Sequence, residues 1–434
     1  MAAPRILIVG GGYVGMYTAI RLQRKLRRGE AHVTVVDQQS YMTYQPFLPE
    51  AAAGSLEPRH VVVPLRSVLK RCEVLTGQVT QIDNGRRCVT MQPPAGPPRE
   101  LTYDHLVIAL GSVARTLPIP GLREVAVGFK AVEEAIFLRN SVLSRLDLAA
   151  TTLDARVRKR ALSFVFVGGG YAGIEAFAEL EDMAKGALRF YDGITADDMR
   201  WVLVEATGRI MPEVSIGLSA YTAERLSDRG MELHLNTRLK SCVDGHVVLD
   251  DGSEFDADTV VWTAGVRSHP LIAATDLPHD DKGRLLCTAT LQAQGLDNVW
   301  SAGDNAAVPD LTKPGELTGP SAQHAVRQAR KLGDNLVAAL RGQALTDYRH
   351  SYVGSVASLG LHKGVAEVYG VKLRGYPAWF MHRTYHLSRV PTLNRKLRVT
   401  LDWTLSLFFR REIVSLGQLQ NPRQAFESAA TPDP

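Results

Sequence analysis

GGGYVG at residues 10–15 and GGGYAG at residues 168–173 are two copies of one pattern. Each copy follows an apolar run of the β type, residues 6–9 and 164–167, and opens a stretch with helical periodicity. Glycines in this order permit a tight turn, let the backbone approach a pyrophosphate and allow close packing of helix on strand. The helix N-terminus then donates N–H groups to the anion. The sequence therefore predicts two dinucleotide sites, most naturally one for a flavin and one for a nicotinamide. Their glycines are Gly10, Gly12, Gly15, Gly168, Gly170 and Gly173.

An acidic residue follows the next apolar run after each glycine loop. Asp37 comes after residues 33–36, and Glu205 comes after residues 201–204. A carboxylate here accepts hydrogen bonds from ribose hydroxyls and repels a 2′-phosphate. The alternative is a charged residue that merely ends a buried strand, but the matching positions of the two acids favour the ribose role. Glu205 favours NADH over NADPH, although the nearby Arg209 weakens that preference.

Composition narrows the class of protein. With 434 residues, of which 45% are hydrophobic, the chain can fill two or three domains. The formal net charge of +5 comes from scattered basic residues, so no nucleic-acid partner is predicted. The first strand begins almost at once, which leaves no room for a secretion signal, and no apolar run reaches about 18 residues. We therefore expect a cytoplasmic protein without a transmembrane helix.

The cysteines argue against thiol chemistry. Cys72, Cys88, Cys242 and Cys287 lie far apart, with no C-x-x-C pair and no metal-site spacing. This pattern predicts buried or idle thiols in a reducing compartment and no metal site. Redox chemistry is then expected to belong to the organic cofactors.

Three further strands end in small residues and define the domain order. Each of these strands ends at or next to a glycine, where the chain can approach a cofactor: Gly111 in residues 103–112, Gly265 in 260–265 and Gly303 in 298–304. Asp304 follows the last of these glycines and can either bond a ribityl hydroxyl or simply cap a turn. The predicted fold class is α/β, with two Rossmann-like dinucleotide-binding domains, the second inserted in the first, and a C-terminal amphipathic helical region. The predicted boundaries are 1–119 and 266–372 for the FAD domain, 120–265 for the NADH domain and 373–434 for the C-terminal region.

The segment 376–411 combines aromatic and basic residues. Leu397, Leu401, Leu405 and Phe408 fall on one helical stripe, and Val399, Trp403 and Leu407 form a second. Such a helix can lie in a bilayer interface, with its arginines on anionic lipid. The alternative is a helix that packs on the protein or on a second subunit. The basic residues are Arg383, Arg389, Arg395, Lys396, Arg398, Arg410 and Arg411.

With these motifs in order, the chain resembles the type II NADH:quinone oxidoreductases, single-subunit and non-proton-pumping NADH dehydrogenases. The likeness extends to about residue 420. The segment YMTYQPFLP at 41–49 resembles the family segment beside the isoalloxazine ring, which implies cofactor contacts from Gln45 and Pro46. Segments 204–206 and 209–212 resemble parts of the family's nicotinamide domain. Glu175 matches a family acid near bound NADH, or else is a carboxylate that complements the helix dipole.

The resemblance also implies an acceptor site. The family motif A-Q-x-A-x-Q corresponds to residues 322–327, preceded by Pro320 at an expected first helical position. Ala322 and the helix start are then implied near the flavin, and Gln323 and Arg327, four residues apart, share a helix face toward the quinone. Arg327 replaces the second family glutamine, and Gln328 lies one step round the helix.

The resemblance implies an enzyme that passes hydride from NADH to non-covalently bound FAD and then two electrons to a membrane quinone. It also implies a peripheral protein on the inner face of the cell membrane and a homodimer. Two alternatives remain at this point: a superfamily reductase with a soluble protein or small molecule as acceptor, and a redox sensor that binds NADH and flavin without steady turnover.

Overall fold

The structure, a computed structural model, describes residues 3–351 and 353–415. The chain divides into two compact units, each built from three segments. Unit 1 contains the chain up to Tyr44 together with Val62–Arg115 and Gly265–Val353. Unit 2 contains Gln45–Val61, Thr116–Ala264 and the chain from Gly354 onward.

The elements of the described residues are numbered in chain order. The strands are β1 Arg5–Val9, β2 His32–Asp37, β3 Tyr41–Thr43, β4 Val62–Pro64, β5 Glu73–Thr76, β6 Gln78–Asp83, β7 Cys88–Gln92, β8 Arg99–Thr102, β9 His105–Ile108, β10 Ser112–Ala114, β11 Ala126–Val127, β12 Ser163–Val167, β13 Arg200–Glu205, β14 Glu232–Leu235, β15 Leu239–Ser241, β16 His246–Leu249, β17 Glu254–Asp256, β18 Thr259–Trp262, β19 Val266–Ser268, β20 Leu285–Leu286, β21 Val299–Ser301, β22 Ala306–Ala307, β23 Gly354–Ser358, β24 Gly364–Val368 and β25 Val371–Arg374. The α-helices are α1 Tyr13–Lys25, α2 Leu48–Ala52, α3 Leu65–Val68, α4 Leu122–Val125, α5 Val132–Thr151, α6 Ala155–Ala161, α7 Tyr171–Ala187, α8 Ile216–Ser227, α9 Ala322–Leu340, α10 Tyr376–Arg389 and α11 Leu393–Phe408.

Unit 1 is built on a parallel five-stranded sheet of order β21-β9-β1-β2-β5. The central strand β1 is apolar at four consecutive buried positions, as expected for a parallel strand covered on both faces. Helix α1 leaves this strand through the first glycine loop and packs on α9, where the Thr18 hydroxyl donates to the Ala329 carbonyl at 3.2 Å. The loops at the carboxyl ends of these strands therefore collect at one edge of the sheet, where dinucleotides bind in such folds.

Unit 2 repeats this arrangement with a parallel sheet of order β11-β18-β12-β13-β14. Its central strand β12 is buried throughout and leads through the second glycine loop into α7. Phe164 of β12 stacks on Trp201 of β13 with ring centroids 4.4 Å apart. The predicted α/β class with two Rossmann-like domains, the second inserted in the first, is confirmed.

The three segments of unit 2 are held together by contacts that sequence reasoning did not foresee. Residues 354–372 were predicted to belong to the FAD domain, but they pack in unit 2. The reason is that the backbone N–H and hydroxyl of Ser358 donate to Glu175 and Glu179 of α7, at 2.9 and 2.6 Å. The short segment 45–61 also packs in unit 2, through α2.

The C-terminal helices α10 and α11 meet at Pro391, and the Thr392 hydroxyl caps α11 by accepting from the Arg395 N–H. Val399 is fully buried, whereas Leu397, Leu401 and Leu405 are each more than half exposed. The predicted amphipathic region is therefore helical, with its first apolar stripe facing outward. Across residues 3–351 and 353–415, no helix is long and apolar enough to span a membrane.

Candidate functional site

The first glycine loop is shaped by backbone crowding. Gly10 has φ +104°, and a Cβ there would lie 2.3 Å from the Ala109 carbonyl oxygen. A Cβ on Gly15 would lie 1.7 Å from the Gly10 carbonyl oxygen, so both positions exclude any other residue. Around Gly12, by contrast, a Cβ would meet nothing within 4 Å. Packing within the protein does not require glycine at that position. The absence of a side chain at Gly12 leaves room for a pyrophosphate at the start of α1, which fits the predicted dinucleotide.

The second loop has the same construction in unit 2. Gly168 has φ +116°, with a Cβ position 2.7 Å from the Ala264 nitrogen, and a Cβ on Gly173 would lie 2.1 Å from the Gly168 carbonyl oxygen. Gly170 again faces open space. Because the two loops match position by position, each unit presents one cradle at the N-terminus of a helix.

The two acids that are predicted to bind ribose make the same contact with their loops. The Gly11 N–H donates to Asp37 Oδ2 at 2.6 Å, and the Gly169 N–H donates to Glu205 Oε2 at 2.6 Å. Burial raises the pKa of Asp37, although its hydrogen bonds from Gly11 and Gln39 work in the opposite direction. These contacts fix each carboxylate beside its glycine loop, where a ribose would follow the pyrophosphate.

Arg209 does not extend from its loop. Its guanidinium donates to the carbonyls of Pro212 and Val214 and is thereby held within residues 209–214. The second oxygen of Glu205 accepts from the N–H and hydroxyl of Thr207, both at 2.8 Å. The local geometry thus leaves Glu205, rather than Arg209, as the group fixed against the glycine loop.

The Gly303–Asn305 turn gathers polar groups of unit 1. The Ser112 hydroxyl donates to Asp304 Oδ2 at 2.7 Å, and the Gly111 N–H donates to Asn305 Oδ1 at 2.8 Å. Gln328 of α9 reaches the same turn, since its Oε1 accepts from the Gly303 N–H at 2.7 Å. Gly111, Gly303 and Asp304 are predicted here from the sequence, whereas Asn305 and Gln328, which also hold the turn, are not. Their only signals were adjacency to the Gly-Asp pair and the helical register of α9.

Helix α9 begins later than predicted. Its first residue is Ala322, and the Ser321 hydroxyl caps it by accepting from the His324 N–H at 3.2 Å. Pro320 therefore lies before the cap, and its prediction as a first helical residue is wrong because serine is the better capping residue. Ala322 is exposed, while Gln323 and Arg327 are half-buried. The Arg327 guanidinium donates to the Gln323 carbonyl oxygen at 3.1 Å, so the two residues predicted to share a face do lie together.

Glu175 lies in a buried charge cluster of unit 2, which we define as Glu50, Glu175, Glu179, His382, Arg383 and Arg411. Glu175 accepts from the Ser358 N–H and lies 3.2 Å from His382 Nε2. Glu50 Oε2 accepts from Arg383 at 2.9 Å and from the Trp403 indole at 2.8 Å. The family resemblance implies a position near NADH for Glu175. The hydrogen-bond partners of Glu175 and Glu50 lie 183 to 353 positions away in the sequence, so no local pattern indicates them.

The cluster has shifted proton affinities. Burial lowers the pKa of His382, but the carboxylates of Glu175, Glu50 and Glu179 outweigh burial, and the net pKa is raised. Burial also raises the pKa of Glu179, against the opposing effect of Arg411. Arg383 and Arg411 were predicted to face anionic lipid. That assignment is wrong for these two, because their side chains are only 7% and 9% exposed and pair with buried carboxylates.

The remaining predicted site residues lie as follows. Gln45 and Pro46 form the turn Gln45–Phe47 in unit 2, where the Gln45 amide donates to the Lys130 carbonyl at 3.2 Å. Gly265 opens the last segment of unit 1, with φ +88°. All four cysteines are free thiols, and burial raises the pKa of Cys72 to about 11. Within the part of the chain that the structure describes, no group of histidine, cysteine and acidic residues is arranged to hold a metal.

The chain is similar to several known proteins in sequence and in fold. A family described as pyridine nucleotide-disulphide oxidoreductase matches residues 4–329. The chain is 31% identical over 412 residues to demethylphylloquinone reductase NdbB of Synechocystis sp., covering 93% of this chain and 96% of that protein. It is 30% identical over 384 residues to type II NADH:quinone oxidoreductase of Staphylococcus haemolyticus, covering 87% and 93%. Among solved structures, NDH2 from Plasmodium falciparum in complex with NADH has a TM-score of 0.87 at 17% identity, covering 95% of this chain and 99% of that one, which shows the shared fold.

Proposed function

The chain belongs to the type II NADH:quinone oxidoreductase family, within the pyridine nucleotide-disulphide oxidoreductases, and from that membership we propose that it transfers hydride from NADH to FAD and two electrons onward to a membrane quinone, without pumping protons. The observation that carries the proposal is the repeated cradle. Each unit has one glycine loop with an open central position, and each loop donates an N–H to an acid at 2.6 Å. One cradle per unit suits two dinucleotides, FAD in unit 1 and NADH in unit 2.

In unit 1 the residues fit a flavin dinucleotide held without a covalent bond. The pyrophosphate would lie against the loop that contains Gly10, Gly12 and Gly15. Asp37 would accept hydrogen bonds from the ribose, and Asp304 would accept one from a ribityl hydroxyl. Gly111, Gly303 and Ala322 would let the backbone come close to the ring system. When bound, FAD supplies the two-electron chemistry that the side chains lack. The work of the protein is then to orient NADH and acceptor and to exclude water.

In unit 2, Gly168, Gly170 and Gly173 would bind the pyrophosphate of NADH and Glu205 its ribose. The restraint of Arg209 on its own loop supports a preference for NADH over NADPH, because a 2′-phosphate would meet a carboxylate with no free cation beside it in that loop. Gln45, Pro46, Glu175 and Gly265 complete the proposed cofactor contacts.

We assign the acceptor to the start of α9. Gln323 offers an amide to one quinone carbonyl, and Arg327 offers a guanidinium to the negative charge that develops as the ring is reduced. The replacement of the second family glutamine by Arg327 also favours a second candidate, a reductase with a different acceptor. Both candidates share the same NADH half-reaction.

The exposed stripe of α11 supports attachment to a membrane surface, on the inner face of the cell membrane. Leu397, Leu401 and Leu405 are each more than half exposed, and Arg398 and Lys396 extend from the same helix. An apolar stripe with basic flanks is typical of interfacial helices. A homodimer that covers part of this stripe fits the same observation.

Two measurements on the purified protein test the proposal. Acid precipitation is expected to release FAD into the supernatant, and NADH with a short-chain quinone is expected to give steady turnover. FMN in place of FAD, or colour that stays in the pellet, would contradict the cofactor assignment. Turnover with a soluble dye or a ferredoxin-like protein, but with no quinone, would favour the second candidate, and flavin reduction without turnover would indicate a sensor.

A further inference from the structure

Two histidines and a tyrosine lie together beside the start of α9. We call His324, Tyr348 and His350 the histidine–tyrosine cluster. His324 is in the first turn of α9, and Tyr348 and His350 belong to the segment that follows this helix in unit 1. Sequence analysis assigned none of them a role, and the flavin and NADH cradles do not use them.

The cluster has a defined geometry. His324 Nδ1 lies 2.8 Å from the Tyr348 hydroxyl oxygen, a hydrogen bond between two buried side chains. The ring of His350 meets the ring of His324 edge to face, with centroids 5.7 Å apart and an angle of 74°. Tyr348 is held in turn by its own N–H, which donates to the Ala289 carbonyl at 2.8 Å. The ring of His350 is thus positioned by a hydrogen-bonded pair.

One nitrogen of this cluster stands out. His350 Nε2 is buried and has no hydrogen-bond partner among the described residues, although the ring as a whole is only half-buried. A buried polar atom without a partner costs about 1–3 kcal/mol, so such an atom calls for an explanation. A ring with one nitrogen directed inward and part of its surface open to solvent is suited to pass a proton between the two sides.

Burial and nearby positive charge both disfavour protonation of the two histidines. Burial, the positive charge of Arg327 and the neighbouring His324 together lower the pKa of His350 to about 4, against a smaller opposing effect of Asp310. Burial also lowers the pKa of His324, with Asp310 raising and Arg327 lowering it. Arg327 is the residue to which we assigned the reduced acceptor. Negative charge that develops beside Arg327 would therefore offset the charge that keeps His350 from binding a second proton.

We propose that His350 supplies the proton that quinone reduction consumes, and that His324 and Tyr348 are its positioning residues. This inference rests on the proposed function. The overall reaction is NADH + H⁺ + quinone → NAD⁺ + quinol, in which hydride transfer accounts for one hydrogen and both electrons. The second hydrogen must arrive as a proton. Nδ1 takes up a proton from solvent as the His350 Nε2–H bond breaks and the quinone O–H bond forms, so the ring stays neutral throughout. Exchange of the ring protons with solvent then restores the Nε2–H tautomer before the next turnover.

The test separates the two half-reactions by stopped flow with the FAD-loaded enzyme. In His350→Gln, flavin reduction by NADH should keep the parental rate, because that step takes no proton from the protein. Reoxidation by a short-chain quinone should slow about a hundredfold, the usual scale of general acid catalysis. Reoxidation by ferricyanide, which takes electrons and no proton to the acceptor, should be unchanged. His279→Gln, at an exposed histidine of the same unit, is the matched control and should behave as the parent.

A measurement independent of turnover follows the histidine itself. Proton NMR of ring-labelled histidine should show His350 neutral down to about pH 4, and Arg327→Gln should raise that pKa. Equal slowing with quinone and ferricyanide in His350→Gln would show a merely structural role and overturn the proposal. Reoxidation of that variant by quinone at the parental rate would overturn it as well. If the parent reduces no quinone at all, the proposed function is wrong, whatever the role of His350. Reoxidation by ferricyanide would then show that the reaction with NADH is intact and that only the quinone assignment has failed.

Discussion

At the scale of single residues, we expect the choice of coenzyme to depend on Glu205. Its two oxygens accept from Gly169, from the Thr207 N–H and from the Thr207 hydroxyl, so the carboxylate is pre-positioned before any ribose arrives. Pre-positioned groups lose little entropy on binding, and this favours a strong contact.

Glu205→Ala should weaken NADH use about ten- to a hundredfold, the cost of losing a charge-assisted contact, and should narrow the gap to NADPH. The measurement is kcat/KM for both coenzymes. Glu213→Ala, at an exposed acid nearby, should leave these values alone. Arg209→Ala should leave the NADH:NADPH ratio unchanged, because Arg209 is engaged with carbonyls; a large change in that ratio would show that it reaches the coenzyme.

Gln323→Ala should slow quinone reduction while leaving flavin reduction by NADH nearly intact, because the amide acts only on the acceptor. Arg327→Gln exchanges the guanidinium for the family's amide, which can still donate to a quinone carbonyl, so quinone turnover should be preserved. Arg330→Gln, at an exposed arginine of the same helix, is the control. If Gln323→Ala reduces quinone as fast as the parent does, the acceptor does not bind at the start of α9.

At the scale of elements, α11 divides its apolar residues between two tasks. Val399 is buried, and Trp403 packs edge to face on Phe47 with centroids 5.5 Å apart, so this side fixes the helix to unit 2. The leucine stripe stays outside. Leu407, which was assigned to the same stripe as Val399 and Trp403, is nevertheless 71% exposed.

Replacing Leu397, Leu401 and Leu405 together by serine should reduce binding to anionic liposomes at least about tenfold, since each buried leucine contributes roughly 1.5–3 kcal/mol. Flotation assays measure this. Tyr369→Ser with Val371→Ser, which removes exposed apolar groups outside α11, is the matched control. Unchanged flotation by the folded triple variant, with a loss of dimer in sedimentation, would assign the stripe to a second subunit.

Glu50 of α2 connects the C-terminal helices to the rest of unit 2. Glu50→Ala would leave the buried Arg383 guanidinium without its carboxylate, which should lower the free energy of unfolding by about 3–5 kcal/mol. Glu50→Gln keeps an acceptor for Arg383 and the Trp403 indole and should cost less. Urea titration measures the free energy of unfolding of each variant. Glu100→Ala, the control, breaks the exposed pair with Arg86 and should lower that free energy by less than about 1 kcal/mol. Equal losses for Glu50→Ala and Glu100→Ala would contradict the buried-pair argument.

At the scale of the whole molecule, histidines with lowered pKa values are expected to make stability depend on pH. Burial lowers the pKa of His386 well below its ordinary value of 6.5, with a further effect of His382, and burial likewise lowers the pKa values of His324 and His350. Below pH 6.5 these histidines bind protons in the unfolded chain but remain neutral in the folded protein. The free energy of unfolding therefore decreases as the pH falls. His382 acts in the opposite direction: its raised pKa gives stability below pH 6.5 that is lost as the pH rises through the folded value.

We therefore expect the melting temperature to decrease as the pH falls from 6.5 to 5, and His386→Phe to flatten that decrease. Phenylalanine suits the position because His386 already packs against Phe47 and His382. His279→Gln, at an exposed site, should leave the slope unchanged. A slope that is the same in His386→Phe and the parent would assign the acid sensitivity to other groups.

What could be predicted from the sequence was local. The glycine loops, the acids Asp37 and Glu205 and the strands before them lie within about 40 residues of one another, and spacing alone located them. The partners of Glu175 and Glu50 could not be found in this way, because Ser358, His382, Arg383 and Trp403 are separated from them by some 180 to 350 residues. Arg383 and Arg411 were interpreted as lipid-facing charges for the same reason. The carboxylates with which they pair, Glu50 and Glu179, lie far from them in the sequence.

The pairing of Glu50 with Arg383 also has a consequence for synthesis of the chain. These residues are separated by 333 positions, and Glu50 and Trp403 by 353. A ribosome that adds about 5–20 residues per second would release α10 roughly 20 to 70 s after α2 has emerged. During that interval the segment 45–61 has neither partner, and its buried carboxylate and apolar neighbours remain open to chaperones and proteases. Pulse-chase labelling with limited proteolysis should find a nascent chain that is cleaved within 45–61 and becomes resistant only after α11 is complete.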